Sequence, residues 1–206
     1  MELIQIITNA NNRYDGDLTY YYKGVMKAPN VNAHYHNIRH MLHVLWEAYD
    51  GGVHMGLDPK QLRTLLIAAL YHDFDHTGSK SDKGDVVNIQ RAIAAIQRDI
   101  LPEDKSLLGD IIDLISDTQF PYQSEPKNIS SMILRDADMS QTFSPVWIQS
   151  VLFGLGKELD MSYEAMLRMQ LPFITNQKFY TSWGIGKFEP LKEDRIKVVT
   201  QMIELL

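Results

Sequence analysis

The chain has 206 residues, of which 45% are hydrophobic and 22% charged, and a formal net charge of −6. That length suits one domain with a single sizeable core, and the acidic balance argues against sequence-independent duplex binding, which needs a basic face. There are no cysteines, so disulfides, thiolate nucleophiles and thiolate zinc sites are excluded, leaving His, Asp and Glu as the strong metal ligands.

The first residues, "MELIQIITNANNRYDGD", have no basic region and no long apolar core, so they do not read as a signal peptide. No apolar run approaches the ~18 residues of a membrane span. A soluble, cytoplasmic protein with no membrane partner is expected. The apolar spacing is helical almost throughout. Leu42, Leu45, Trp46 and Tyr49 form one i, i+3, i+4, i+7 stripe, and Leu62, Leu65, Leu66 and Ala69 form another. Further helices are predicted in 86–100, 106–118, 128–139, 145–160, 162–180 and 192–206. Asp58 with Pro59, "PEDKS" and Ser162 mark helix starts. Loops are expected at Gly51-Gly52, at "HTGSKSDKGD" and at "TSWGIGKFEP". No β-alternation is sustained, so the expected fold is all-α: a compact bundle of roughly eight helices in one domain spanning 1–206.

All seven histidines lie between His34 and His76, and "HYHNIRHMLH" (34–43) holds four of them. On a helix, His36, His40 and His43 would project from one face. Such a face cannot be buried cheaply, because unsatisfied ring nitrogens are costly. Next, "LLIAALYHDFDHTG" runs an apolar helix into His72, Asp73, Asp75 and His76. The plain reading is a helix end capped by Gly78, with His76 favoured by the dipole. However, adjacent buried His and Asp need a partner for the negative charge, and a divalent cation serves. A third apolar stretch, "MILRDADMSQTF", ends in Asp136 and Asp138, either of which alone is a plausible helix-end group. Two imidazoles and two carboxylates, in the order His40, His72-Asp73, Asp138, suit a hard or borderline divalent ion with positions left for water and substrate.

This order resembles that of the HD superfamily. Within it, "YHNIRHMLHV" resembles the Y-H-N-x-x-H segment of class I cyclic-nucleotide phosphodiesterases, "HDFDHTG" their H-D-x-D-H-x-G, and "DADMSQ" their A-D-x-S. The resemblance implies an HD-domain fold like that of the phosphodiesterases. It implies that His40, His72, Asp73 and Asp138 hold a tight metal (Zn, Mn or Fe). Asp73 would bridge to a second, mostly water-ligated ion (Mg or Mn), with His76 beside it. A bridging hydroxide would attack phosphorus, and His36 would protonate the leaving oxygen, a task suited to imidazole near neutral pH. Late in the chain, Gln170, Phe173 and Ile174 fit the family's Q-x-x-F-I element, in which glutamine reads a base edge and phenylalanine stacks on the ring. A core aromatic is the ordinary alternative there. Asn37 is placed near the substrate, more as a cap or hydrogen-bonding group than as a reactant, and Tyr35 packs under the loop.

The chain departs from the family in four ways. It is shorter and has no histidine after His76, His43 stands where the family has an aspartate, and "SDTQFPY" matches A-T-D-M-S only loosely. Thr118 is the nearest equivalent in that segment, while Asp85 and Asn88 replace the group that orients water on the second ion. The expected activity is metal-dependent hydrolysis of a nucleotide phosphodiester, including a 3′,5′-cyclic one. Alternatives are a nucleoside 5′-monophosphate phosphatase, a di-iron HD oxygenase and a non-catalytic nucleotide-sensing module. The partner is a small-molecule nucleotide, and the chain a monomer or homodimer.

Overall fold

The computed structural model describes residues 2–78 and 85–206. Among them the protein is all-helical, with no strands. In chain order the helices are α1 (Leu3–Arg13), α2 (Leu18–Val25), α3 (Ile38–His54), α4 (Pro59–Tyr71), α5 (Val86–Asp99), α6 (Leu108–Asp117) and α7 (Ile129–Met139). A π-wound segment (Ile148–Leu155) runs into the short α8 (Gly156–Glu158), and α9 (Tyr163–Asn176) and α10 (Ser182–Glu204) follow. None of the described helices is long and apolar enough to cross a membrane.

Helix α4 is the axis. Asp58 and Gln61 form a reciprocal capping box at its start, with Pro59 in the first turn, satisfying backbone donors that would otherwise be orphaned. Every residue from Leu62 to Tyr71 is buried, as expected of a helix surrounded by protein. Helix α3 packs along α4 and α7, α6 covers α4, and α9 pairs with α10. The C-terminal ends of α4 and α7 and the N-terminal end of α3 thereby meet, and the histidines and aspartates lie at that meeting.

Four local expectations are revised. Gly51 and Gly52 lie inside α3 rather than in a loop. A Cβ on Gly51 would sit 2.8 Å from both Ile133 and Trp183, so glycine is there to admit neighbours. "TSWGIGKFEP" is the capped first half of α10, not a loop. Thr181 accepts the amide hydrogen of Gly184, and Trp183 and Phe188 are buried in an aromatic cluster with Phe143 and Phe179. That packing overrides the poor helix propensity of Gly186 and Pro190. Trp46, placed in the buried stripe, is 38% exposed. Helices α1 and α2 add to those expected, and the loop expected at 76–85 lies partly outside the described residues.

A buried ion pair ties α4 to the segment before α6, and α2 joins it through Tyr21. Arg63 donates from Nε and Nη2 to the two oxygens of Asp104, at 3.1 and 2.8 Å, and the Tyr21 hydroxyl donates to the same carboxylate at 2.8 Å. Removing one partner of such a pair leaves an uncompensated charge. Asp104→Ala is therefore expected to lower stability by roughly 3–5 kcal/mol, read as a fall in the urea midpoint with unchanged slope.

Candidate functional site

Three apolar helices deliver the polar groups. Asn37 caps α3, its Oδ1 accepting from the amides of Arg39 and His40 while Nδ2 donates to Ala33 O. His40 then falls in the first turn of α3, His72 is the residue at which α4 ends, and Asp138 sits in the last turn of α7. His36 precedes the cap and so is not on the helix, contrary to the one-face reading. The turn nevertheless leaves its ring 5.9 Å from that of His40.

Donor atoms of His40, His72 and Asp73 lie close enough together to share an ion, and Asp138 Oδ1 stands against both imidazoles. His40 Nε2 lies 3.1 Å from both Asp73 Oδ2 and Asp138 Oδ1, and His72 Nε2 lies 3.1 and 3.7 Å from the same two atoms. The two Nε2 atoms are 3.3 Å apart. The other ring nitrogens are committed elsewhere: His40 Nδ1 donates to Gln141 Oε1 at 2.6 Å, and His72 Nδ1 to Ala69 O at 2.9 Å. Each imidazole is thus oriented with Nε2 toward the common point, as outer partners do for metal-binding histidines. Asp73 Oδ2 is buried and, despite its proximity to both rings, makes no hydrogen bond.

The electrostatics agree. Burial disfavours charge on His40, but Asp138 and Asp73 override it and lift its pKa to about 9. His72 is likewise raised well above the usual imidazole range against burial, chiefly by Asp73. Burial alone would raise Asp73 and Asp138, but the imidazoles hold both well below the usual carboxylate range. Two adjacent carboxylates thus create a demand for positive charge at one point. A divalent ion with bonds of about 2.0–2.2 Å puts its ligand atoms about 3.0–3.5 Å apart, so His40, His72 and Asp73, at 3.1–3.3 Å from one another, fit one. His43 stands apart. Burial, then the charge of His40, pushes it down to about 4, and its Nε2 meets Ser140 Oγ at 2.9 Å.

A second group borders the first. His36 Nδ1 donates to Glu158 Oε2 at 2.6 Å, while the amides of Tyr35 and His36 both donate to Glu158 Oε1. These bonds hold the Glu158 carboxyl below its ordinary pKa although burial opposes them. The rings of His36 and His76 are stacked, with centroids 3.6 Å apart. His36, His76 and Glu158 are close enough to share an ion, but Glu158 already accepts three hydrogen bonds, so the trio reads as an oriented imidazole rather than a second ion site. His76 is held in turn by Asn88 Nδ2 at 2.9 Å, which also donates to Asp85. Asp85, its charged form favoured by His76 and Asn88 against burial, accepts the Phe120 amide.

These groups face a cavity of about 470 Å³, bordered by His36, Asp73, His76 and Asp138 on one side. Asp85, Asn88, Thr118, Gln170 and Phe173 also line it, so the residues expected to orient water and to bind substrate share one space. Its remaining wall is apolar, built by Val151, Leu155, Leu159 and Met169. Asn37 is the exception: its amide is used locally as a cap, and it does not line the cavity. Asp136 separates from Asp138. It accepts from the Tyr180 and Thr181 amides and the Thr181 hydroxyl, anchoring the start of α10.

Sequence reasoning missed Glu158, Gln141 and Asn30. Glu158 is distant in sequence, and it reaches His36 because the π-wound segment packs on the loop before α3. A Cβ at Gly154 would sit 2.6 Å from His34 O, so the approach needs glycine. Gln141 had a signal, since it lies three residues after Asp138. Asn30 had none, yet its Nδ2 donates to the carbonyls of His36 and Asp73 at 2.6 and 2.7 Å, and its Oδ1 accepts the Asp75 amide. One buried amide thus clamps the two site segments together. Asn30→Ala is expected to lower stability by roughly 1–3 kcal/mol, and amide exchange at Asp75 should report the local loosening.

Compared with known proteins, the chain matches no family model and no curated protein, so the reading of this site rests on its own geometry.

Proposed function

We propose that the chain is a metal-dependent phosphohydrolase of the HD type and, within that class, a phosphodiesterase acting on a nucleotide, including a 3′,5′-cyclic one. The observation that carries this reading is the convergence of His40, His72 and Asp73, with Asp138 against both imidazoles and the imidazoles turned inward by Gln141 and Ala69. Zn, Mn or Fe would be held by these four, with Mg or Mn beyond Asp73, on the side of His76, Asp85 and Asn88. Bound divalent cations supply neutralisation of the phosphoryl oxygens and activation of water.

The chain's own residues do the rest. His36 is the general acid: its Nδ1–H is fixed on Glu158, leaving Nε2 to carry the proton given to the departing oxygen. The Glu158 carboxylate fixes the tautomer and orientation of that imidazole, much as a buried aspartate orients a catalytic histidine elsewhere. His76, stacked on His36, prevents the ring from turning away. A proton donor is most useful when the leaving group is a poor one such as a sugar alkoxide, which favours a phosphodiester. The apolar wall with Phe173 and Gln170 supplies a place for the remainder of a nucleotide. The reading is of a cytoplasmic enzyme with a small-molecule substrate and neither duplex nucleic acid nor membrane as partner.

The test is hydrolysis of cyclic nucleotides, other phosphodiesters and nucleoside monophosphates by chelator-stripped protein reloaded with Zn, Mn, Mg or Fe. His40→Ala and Asp138→Ala are each expected to lose bound metal by elemental analysis, and full retention in both would sink the assignment. His36→Ala should keep its metal but lose turnover by ~10²-fold or more. Unchanged hydrolysis of a substrate with a poor leaving group would rule out its role. Glu158→Gln should lower kcat by about 10- to 100-fold, as for other partners that orient a working imidazole, with the metal retained.

A further inference from the structure

A second cavity, of about 290 Å³, opens where the starts of α4 and α7 meet α6. It lies at the opposite end of α4 and α7 from the residues that face the candidate metal point. At about 1.5 Å per residue, the stretch of α7 from Ser130 to Asp138 alone spans roughly 12 Å, so the two cavities are separate places.

The walls carry charge of both signs. Asp110 and Asp113 stand three apart on one face of α6, and both line the cavity. Helix α6 has no basic residue, and neither carboxylate forms an ion pair among the described residues. Lys60, exposed at the start of α4, lines the same cavity and is equally unpaired there. The ammonium and the two carboxylates thus border one space without answering each other.

The start of α7 adds the decisive group. Ser130 is 9% exposed and lines the cavity, yet its hydroxyl has no hydrogen-bond partner among the described residues. Its neighbour Ser131, by contrast, donates to Asp117 Oδ2 at 2.6 Å. A buried hydroxyl left unpaired is costly, and one on a cavity wall is satisfied by a polar atom of a ligand. Asn128 caps α7 by accepting the Ser131 amide at 3.0 Å. The amides of Ile129 and Ser130, which open the helix, remain donors at its positive end. One end of the cavity therefore suits an anion, and the α6 wall suits a cation.

We propose that this cavity is a second ligand site, built for a small aminocarboxylate, a molecule with one ammonium and one carboxylate as in free amino acids. The ammonium lies between Asp110 and Asp113. The carboxylate meets the Ser130 hydroxyl, the open amides of α7 and Lys60. A diamine would set one of its charges against Lys60 and the positive end of α7, and a simple carboxylate would leave the aspartates unanswered. None of these residues borders the metal-binding end, so the site stands whether or not the chain is a phosphohydrolase.

Calorimetric titration of the full chain with 4-aminobutyrate and the common L-α-amino acids, beside putrescine and butyrate, tests this. At least one aminocarboxylate should bind about tenfold or more tightly than putrescine and butyrate, each of which lacks one of the charged contacts. Ser130→Ala should weaken that aminocarboxylate about tenfold, the usual worth of a hydrogen bond to a charged group. Lys60→Glu should weaken it as well while tightening putrescine, because the walls then carry a single sign. Lys60 is exposed, so this variant should melt with the wild type, and a thermal scan verifies that. Absence of binding by every aminocarboxylate, or putrescine or butyrate binding as tightly, would overturn the site. So would an affinity unchanged in both variants, since the binding would then lie elsewhere.

Discussion

Two carboxylates, Asp73 and Asp138, border the same two buried imidazoles, and the surrounding architecture exists to make that arrangement tolerable. Such groups cannot be taken from water unless each charge is answered. The carboxylates raise the pKa of His40 and His72 and are themselves held low by them. Gln141 and the Ala69 carbonyl take the outer ring hydrogens. The inner atoms are thus left as a pocket of negative potential at a separation that suits a divalent ion. Rigidity follows from the same requirement. The groups sit at the ends of helices packed into the core, α4 on every side, so their positions are inherited from the core rather than from a loop.

The layers outside this point have separable tasks. Asn30 joins the His36 and Asp73 segments through backbone alone, so it sets distance without adding charge. Glu158 works on a single ring, fixing the tautomer and orientation of His36. The chain Phe120, Asp85, Asn88, His76 links the apolar part of the cavity to its polar part. A shift in the loop between α6 and α7 would therefore be felt at the stacked pair of His36 and His76. The fold places the apolar and polar halves of the cavity on different helices, α9 with the π-wound segment on one side and α3, α4 and α7 on the other.

Much of this was legible in the sequence, for identifiable reasons. Helical spacing named the central elements because α4, α6 and α7 have runs of apolar residues, and Asp58 with Pro59 marks the start of α4. The four converging residues were legible because each ends or begins an apolar run, where a charged group has no plain explanation. Local signals failed where tertiary contacts rule. Gly51 and Gly52 look like a break, yet they are the gap into which Ile133 and Trp183 fit. Gly186 and Pro190 look like a loop, yet aromatic packing holds the helix through them. Asp136 and Asp138 look equivalent and are not, because one helix face turns to the cavity and the other to the start of α10.

By itself, then, the sequence determined an all-helical chain and the residue types able to hold a divalent ion, since both follow from composition and from spacing within one helix. Only the tertiary structure decided which partners answer those residues. Glu158 meets His36, and Asn30 meets His36 and Asp73, across separations of up to 122 residues. Phe120 meets Phe173 from another helix altogether. No periodicity within a segment encodes such meetings. They depend on how packed helices bring distant surfaces to one place, with glycine at Gly154 allowing the approach and buried polar groups specifying the register.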